Sequence, residues 1–504
     1  MNISRIRRLS LLSLTALASS CAAQVLEPRT APPAVPPTAL LGAGTLLQTD
    51  FETSGWGKNA PVAVGTIDVA NSTQPSRGLR SDELRSDGLL SSGLLPIRNS
   101  ESNLGKLTLA FCLSASANRP VQVLVESFNA RRRRTGGLAT LIYPAAPDFY
   151  QRYALDLSNL KPSGQGRFEP RAPFVSFTFA PDGAAWKGVA RPEIRLDNVQ
   201  FARPAFYVSA AGSDQKDGKS EQTAFATPQK ALDVAGPGDI IAVMDGTYRA
   251  ELKPVAVFQR AGAPAAWIVL KNYPGQHPTF SCNGWNHVFI GKGSKQQPYE
   301  GPTLAYLEVR GLHIRGEGDV AKQKYAEAMG KVDSRTNTNG ISVDGRFMTN
   351  VPHHFRFADN LVEYCPGGGI GPQEADWVTM ENNTSRFNCW TTIYGASGMG
   401  TIGASNFDGS DNVYKMLLRN NIVYRNETFV AWAAVGHISD GNGIIVDVNQ
   451  KTSTRPEGSY KGRTLVQSNL CFDNGGSGIH AFNSNRVDII NNTAYLNSAS
   501  KGLE

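Results

Sequence analysis

Two short sequence signatures alternate along the C-terminal part of the 504-residue chain. The first is an asparagine with an asparagine or cysteine five positions later, and it begins at Asn360, Asn383, Asn421, Asn469 and Asn492. The second is a glycine followed by isoleucine or methionine, and it begins at Gly340, Gly369, Gly398, Gly443 and Gly478. Successive glycine signatures are 29, 29, 45 and 35 residues apart. Such an internal period is typical of a solenoid, whose repeats stack into one continuous core.

The repeat predicts a right-handed parallel β-helix, because each coil supplies short strands that bury their apolar faces only against neighbouring coils. Fifty glycines and a scarcity of long helical patterns favour an all-β architecture, and 41% hydrophobic residues exclude a disordered chain. We expect each recurring asparagine to hydrogen-bond the equivalent residue above and below. The uneven spacing predicts surface loops, the longest of them between Asn421 and Gly443.

Strand alternation sorts the residues after each glycine into an inward and an outward set. After Gly443, for example, Ile444 and Val446 are expected to point into the core. The outward fourth positions are Asp344, Gln373, Ile402, Asp447 and Phe482. Asp447 is therefore predicted to face solvent beside the longest loop, with His480 flanking it one coil later. It is a candidate site acid, and an exposed aspartate that is merely solvated is the alternative.

A second outward set is predicted six residues before each recurring asparagine, at His354, Trp377, Lys415, Arg463 and Arg486. Stacked cations repel one another unless an anion runs along them. The column therefore predicts binding of an acidic polymer, and a chance surface column is the alternative. A formal net charge of +7 and a pI near 9.0 also fit acidic partners. Among these partners we expect an acidic polysaccharide rather than nucleic acid.

The chain before residue 204 divides into three segments. Residues 1–23 join basic residues to a short apolar core, as in an export signal, and the core is too short to span a membrane. The stretch "ALASSC" resembles a bacterial lipobox, so lipidation at Cys21 and simple secretion are alternatives. Residues 24–45 are a proline-rich linker, and residues 46–203 carry the alternating apolar stretches of a β-sandwich. Residues 204–504 are assigned to the β-helix.

The sandwich segment resembles the jelly-roll carbohydrate-binding modules in its opening "TDFETSGW" and its closing "RLDNVQF". In that family the first and last strands lie together, and their acidic residues often hold a structural calcium. The resemblance implies calcium ligands at Asp50, Glu52 and Asp197, which offer the hard oxygen donors that this ion prefers.

The stretch from Tyr207 to Arg249 resembles the N-terminal coil of right-handed parallel β-helix proteins, pectate lyases of polysaccharide lyase family 9 among them. Thr227 is a suitable N-cap there, and Pro228 suits the first helical position. The resemblance implies a short helix that ends at Gly236 and caps the open end of the β-helix.

The stretch "SDGNGIIVD" (439–447) resembles a strand motif of polysaccharide lyase family 9, which places acidic residues before a glycine and a catalytic lysine four residues after it. Asp447 stands at the lysine position, which puts the family's mechanism in doubt. Lys415 and His437 are alternative bases, and a calcium held by Asp440 and Asp447 is implied. Substrate binding is assigned to Arg463, Arg486, Trp377, Trp390 and His480.

These patterns predict a secreted or surface-anchored bacterial enzyme that degrades polysaccharide. A calcium-assisted lyase acting on a uronate polymer such as pectate is the first hypothesis. The alternatives are a glycoside hydrolase that uses Asp440 and Asp447 as paired carboxylates, and a polysaccharide-binding or adhesion protein without catalysis. We expect a monomer. Because the last asparagine signature is followed by no obvious cap, we also expect further coils beyond Glu504.

Overall fold

The computed structural model describes residues 45–49, 79–80, 90–91, 94–96, 103–147, 149–189, 193–264, 266–318, 332–450 and 460–500. The predicted export signal and Cys21 lie outside these residues, as do Asp50 and Glu52. Within the described part no helix is long and apolar enough to cross a membrane. Strands dominate this part, and its α-helices are Pro228–Val234 and Ser334–Asn337.

Residues 206–495 form three long parallel sheets, which confirms the predicted β-helix architecture. The strands of sheet 1, in order, are Phe206–Val208, Ile240–Val243, Ile268–Asn272, Ala305–Arg310, His353–Ala358, Asp376–Glu381, Tyr414–Arg419, Arg463–Gln467 and Val487–Ile490. Those of sheet 2 are Thr247–Ala250, Thr279–Cys282, His313–Arg315, Leu361–Glu363, Thr384–Arg386, Ile422–Tyr424, Leu470–Phe472 and Thr493–Tyr495. Those of sheet 3 are Ala256–Phe258, Asn286–Gly291, Asn339–Asp344, Ile370–Gln373, Met399–Ile402, Ile444–Asp447 and Ile479–Phe482.

The glycine signature opens the strands of sheet 3, and its glycines allow neighbouring coils to approach closely. A Cβ on Gly369 would lie 2.3 Å from the Gly398 carbonyl oxygen, and one on Gly443 would lie 2.4 Å from that of Gly478. Any larger residue would push the coils apart at these points. The following residues fill one apolar core, in which Ile444 is fully buried.

The recurring asparagines form two continuous ladders, as the sequence predicts. In one ladder the side-chain amides of Asn360, Asn383, Asn421 and Asn469 each donate to the next asparagine carbonyl, over 2.9–3.1 Å, and the ladder ends at Asn492. The other ladder joins Asn388, Asn426, Asn474 and Asn497 in the same way. The asparagine side chains also accept hydrogen bonds from backbone amides of the turns, which stacking of the coils buries away from water.

A left-handed residue precedes each ladder asparagine, a feature that the repeat pattern does not predict. Before the first ladder these residues are Asp359, Asn382, Asn420, Ser468 and Asn491, with φ between 54° and 57°. Three of the five are asparagine and one is aspartate, the residue types that adopt this conformation most readily besides glycine. Local preference therefore favours the turn at four of these positions, and stacking with the asparagine ladder imposes it at Ser468.

The predicted cap is present at the first coil. Helix Pro228–Val234 begins with the Thr227 side chain accepting a hydrogen bond from the Lys230 amide. Ala231 and Leu232 are buried in the β-helix core. The helix thus covers apolar residues that the first coil would otherwise expose.

Residues 45–202 contribute two antiparallel sheets with a shared apolar core. One sheet contains Thr45–Thr49, Leu79–Arg80, Thr108–Ala115, Gln151–Asp156 and Ile194–Ala202. The other contains Leu90–Ser91, Leu95–Pro96, Val121–Phe128, Arg134–Ile142, Lys161–Ser163 and Phe174–Pro181. Short 3-10 helices lie at Leu104–Lys106 and Leu157–Asn159. Strand Thr45–Thr49 pairs with Ile194–Ala202, and the jelly-roll assignment stays a prediction.

The antiparallel part packs on the outer face of sheet 1 through buried charges. Glu308 binds Arg152 at 3.0 Å and Arg356 at 2.6 Å, and Arg356 also binds Glu381 at 2.7 Å. Gln151 donates to Glu381 over 2.8 Å. Burial opposes ionisation of Glu308, but the three arginines around it prevail and lower its pKa to about 2.

The predicted outward column on sheet 1 is wrong at Lys415, and its register breaks between Lys415 and Arg463, whereas Arg486 is exposed as predicted. Lys415 is 1% exposed, and its ammonium lies 3.0 Å from Asp376 and 2.6 Å from Asp408. A register shift pairs Arg463 with Tyr414 rather than with Lys415. The reason is that the segment around Asp408 folds over this end of the sheet, which alternation alone cannot reveal.

Candidate functional site

The candidate site lies on the outer face of sheet 3, whose register confirms the predicted column. Asp344 aligns with Gln373, Gln373 with Ile402, Ile402 with Asp447, and Asp447 with Phe482. His480 aligns with Ile445, two residues before Asp447 on the neighbouring strand. Alternation therefore places His480 and Asp447 on one face.

Two loops that lead into sheet 3 pack together beside this column. The Ala433 amide donates to the Ile393 carbonyl over 2.8 Å, and the Ile393 side chain packs on Val430 in a small buried cluster. The Gly441 amide donates to the Ala396 carbonyl over 2.8 Å. The loop that carries Ile393 and Ala396 thus fixes the path of the loop that carries Ala433 and Asp440.

Asp440 is held in one orientation by its neighbours. Its Oδ1 accepts a hydrogen bond from the Asn442 amide at 3.1 Å, and its Oδ2 accepts one from the Ser439 hydroxyl at 3.0 Å. A Cβ on Gly395 would lie 2.5 Å from Oδ2, so only glycine leaves room for the carboxylate there. Burial raises the pKa of Asp440, and the Ser439 bond, the His480 charge and the Asn442 bond oppose that increase.

Asp447 has a different environment from Asp440. Its Oδ1 is buried without a hydrogen-bond partner in the described part of the chain. Burial, and secondly the charge of Asp440, raise the pKa of Asp447 to about 6. The Asp440 carboxyl therefore accepts hydrogen bonds and the Asp447 carboxyl accepts none from the described residues. Different environments of this kind give two carboxyl groups different pKa values.

His480 completes the group with a second bare polar atom. Its Nδ1 is buried and has no partner among the described residues. Burial lowers the pKa of His480, and the charge of Asp440 acts against that decrease. The imidazole is therefore largely neutral near neutral pH and can both donate and accept a hydrogen bond.

The described residues supply no cation to this group. Neither Asp440 nor Asp447 forms an ion pair with a described lysine or arginine, whereas Asp344 in the same column binds Arg346 at 2.8 Å. No cluster of three or more histidine, cysteine, aspartate or glutamate residues is placed to hold a metal within the described ranges. The two calcium sites stay predictions. For Asp197 the backbone is described in strand Ile194–Ala202, but the side chain is not.

The other two predicted catalytic residues, Lys415 and His437, form no side-chain hydrogen bond or ion pair with Asp440 or Asp447 among the described residues. Lys415 is buried between Asp376 and Asp408 and forms no ion pair with Asp440 or Asp447 among the described residues, so its assignment as a base stays a prediction. His437 lies on the same loop as Asp440, where its carbonyl accepts a hydrogen bond from the Trp432 amide over 2.9 Å. Its side chain has no hydrogen bond to either carboxylate within the described residues, and its catalytic role stays a prediction.

Four predicted substrate-binding residues have protein partners away from the carboxylates. Arg463 binds Asp488 at 2.6 Å and Arg486 binds Asp411. The Trp377 indole donates to Asp408 at 3.0 Å. The Trp390 ring packs edge-on against Tyr364, Phe387 and Phe429, beside the asparagine ladders. His480 alone of the five lies with the carboxylates.

Sequence reasoning missed two residues that shape the site, Ser439 and Gly395. Ser439 is the first residue of the stretch "SDGNGIIVD", and its hydroxyl donates to Asp440. Its place directly before the aspartate was the sequence feature that could have identified it. Gly395 matters only because two loops 45 positions apart in sequence meet, and no local pattern reveals that approach.

No protein-family model and no curated protein sequence matches the chain. Solved structures resemble parts of it. The xylose complex of XylC is 12% identical, with a TM-score of 0.37 over 58% of this chain and 62% of its own length. Pectate lyase Pel9A is 15% identical, with a TM-score of 0.32, and the match covers 59% of this chain and 80% of the lyase. A rhamnogalacturonan lyase is 14% identical, with a TM-score of 0.33, and the match covers 59% of this chain and 84% of that lyase. At these values the likenesses carry no functional argument, so function rests on the site.

Proposed function

We propose that the protein is a polysaccharide-cleaving glycoside hydrolase whose acid and base are Asp447 and Asp440. The observation that carries the proposal is the pair of unequal carboxyls: Asp440 is bonded on both oxygens, whereas Asp447 has a buried oxygen without a partner. Glycosidases use two carboxyl groups in different protonation states around the scissile bond.

The roles follow from the environments. Asp447 holds its proton up to about pH 6, so it acts as the general acid that protonates the departing glycosidic oxygen. Burial also raises the pKa of Asp440, but its two hydrogen bonds favour the ionised form and Asp447 has none, so Asp440 is the carboxylate that activates water or attacks the sugar carbon. His480 offers a neutral hydrogen-bonding atom for a sugar hydroxyl.

The same electrostatics support hydrolysis over β-elimination. Elimination needs a cationic group to neutralise the uronate carboxylate of the substrate. This site presents the Asp440 carboxylate, which repels such an anion, and no described lysine or arginine pairs with Asp440 or Asp447. The calcium-assisted lyase stays a prediction that would require a metal at Asp440 and Asp447.

A panel of neutral and uronate polysaccharides tests the proposal through product chemistry. Purified protein should generate new reducing ends on at least one neutral polymer, without the ultraviolet absorbance of an unsaturated uronate and without sensitivity to a chelator. The value of kcat/KM should fall as pH rises through about 6, because Asp447 loses the proton that it must donate.

Three results would contradict hydrolysis. Rising ultraviolet absorbance on a uronate polymer would identify a lyase, and its loss with chelator would restore the calcium hypothesis. Polymer binding without cleavage anywhere in the panel would identify a binding protein. A rate that increases through pH 6 would remove Asp447 as the acid.

A further inference from the structure

Two large aromatic rings are exposed on the side of the candidate site that faces the N-terminal coils. The side chains of Trp285 and Tyr394 are each 41% exposed. Their ring centroids are 6.5 Å apart, with an angle of 52° between the planes. The two adjacent rings form a contiguous apolar surface of the kind that marks ligand-binding grooves, and neither ring donates a side-chain hydrogen bond within the described residues.

Buried hydrogen bonds hold the Tyr394 ring where it is. Just before it, the Thr392 hydroxyl donates to the side-chain Oδ1 of Asn337 at 2.8 Å, and the Ile393 backbone amide donates to the same oxygen at 3.0 Å. The Thr391 hydroxyl donates to the Thr336 carbonyl at 3.0 Å. Thr391, Thr392 and Asn337 are all essentially buried. The loop is therefore fixed before any ligand arrives.

The Trp285 segment is tied to the same support. The Ser334 hydroxyl donates to the Asn283 carbonyl at 2.9 Å, and the Asn339 amide donates to the Trp285 carbonyl at 2.8 Å. Helix Ser334–Asn337 thus connects the two aromatic segments. A pair of rings held this way presents a surface of constant geometry, which limits the entropy lost on binding.

The rings continue the candidate site along the β-helix axis. Tyr394 directly precedes Gly395, the residue that lies against the Asp440 carboxylate. Trp285 directly precedes strand Asn286–Gly291, which is four strands away from Ile444–Asp447 in sheet 3. Four strand spacings amount to about 19 Å, so one bound sugar cannot reach both Trp285 and the carboxylates.

We propose that Trp285 and Tyr394 form a subsite that stacks sugar rings of the same glycan, with Tyr394 next to the carboxylates and Trp285 further from the bond that is cut. This inference rests on the proposed hydrolase function and specifies its substrate as a long, uncharged glycan chain that runs along sheet 3 towards the N-terminal coils. Sugar rings present C–H faces that stack on aromatic rings, and the two planes suit successive units with different orientations.

The test compares a polymer with the shortest oligosaccharide that the enzyme cleaves. Trp285→Ala should lower kcat/KM on the polymer about tenfold, mainly through KM, and should change the value on the short substrate less than about twofold. Tyr143→Ala is the matched control, because Tyr143 is an exposed aromatic residue of the antiparallel part (55% exposed) and should leave both values unchanged.

Binding by an inactive protein separates this inference from the hydrolase proposal. In affinity electrophoresis through polymer-containing gels, Asp447→Asn should be retarded and the Asp447→Asn/Trp285→Ala double variant much less so. Equal retardation, or equal kinetic losses on long and short substrates, would overturn the subsite. If cleavage proves to be elimination but Trp285→Ala still weakens polymer binding selectively, the hydrolase assignment fails and the subsite stands.

Discussion

The outer faces of sheet 1 and sheet 3 both bury charged groups, and they differ in the partners of their buried carboxylates. On sheet 1 the buried Nε atoms of Arg310 and Arg419 have no hydrogen-bond partner among the described residues, but another nitrogen of each guanidinium does. On sheet 1, Glu308, Arg356 and Glu381 each form at least one ion pair or hydrogen bond of 3.0 Å or less under the antiparallel part. On sheet 3, the side chains of Asp447 and His480 each bury a polar atom without a partner in the described chain.

This difference separates structural from functional charge. A buried charge with partners is neutral for folding or costs little, whereas a bare one costs stability and is retained where a ligand completes it. The number of charged residues on a face therefore says little about function. On sheet 1, Glu308, Arg356 and Glu381 are all buried.

The largest expected effect on stability lies on sheet 1. Arg356→Ala removes the partner of two buried carboxylates, so the free energy of unfolding should fall by about 3–5 kcal/mol. Chemical denaturation followed by circular dichroism measures the change. A loss below about 1 kcal/mol would show that water reaches this face and that the network is not closed.

A smaller effect should appear on sheet 3 as pH changes. The pKa of Asp447 is raised from 3.8 to about 6 on folding, so the protonated form stabilises the fold below pH 4, and that contribution is lost as pH rises through 6. With allowance for solvent screening, the free energy of unfolding should fall by about 1 kcal/mol over this window.

The control for this pH effect is Asp447→Asn, which cannot ionise. Its stability should vary less than that of the wild type between pH 4 and 7, when both are measured by denaturant unfolding at each pH. Parallel curves for the two proteins would show that Asp447 titrates normally.

Much of the fold could be predicted from the sequence because each repeat signature is formed by residues that are close together in the chain. Asn421 and Gly443 stand at turn and strand positions that only their own residue types fill, and strand alternation on sheet 3 placed Asp447 and His480 correctly. The register there is unbroken through both insertions.

The same alternation failed on sheet 1 for physical reasons that lie far away in the chain. His354 and Trp377 adopt left-handed conformations with φ of 58° and 53°, which break the alternation. Gln151, which binds Glu381, is 230 positions away from it. Burial of Lys415 between two aspartates likewise depends on a loop whose path no local pattern encodes.

The most direct test of the central claim compares two aspartates of one column, Asp447 and Asp344. Both align in sheet 3, but Asp344 is paired with Arg346 and Asp447 is bare. Asp447→Asn should reduce kcat/KM on the cleaved polymer by about 10²–10⁴-fold with no loss of stability, and Asp344→Asn should leave the rate within about twofold. Equal rates for the two variants would contradict the claim that the unpaired carboxyl is the working acid.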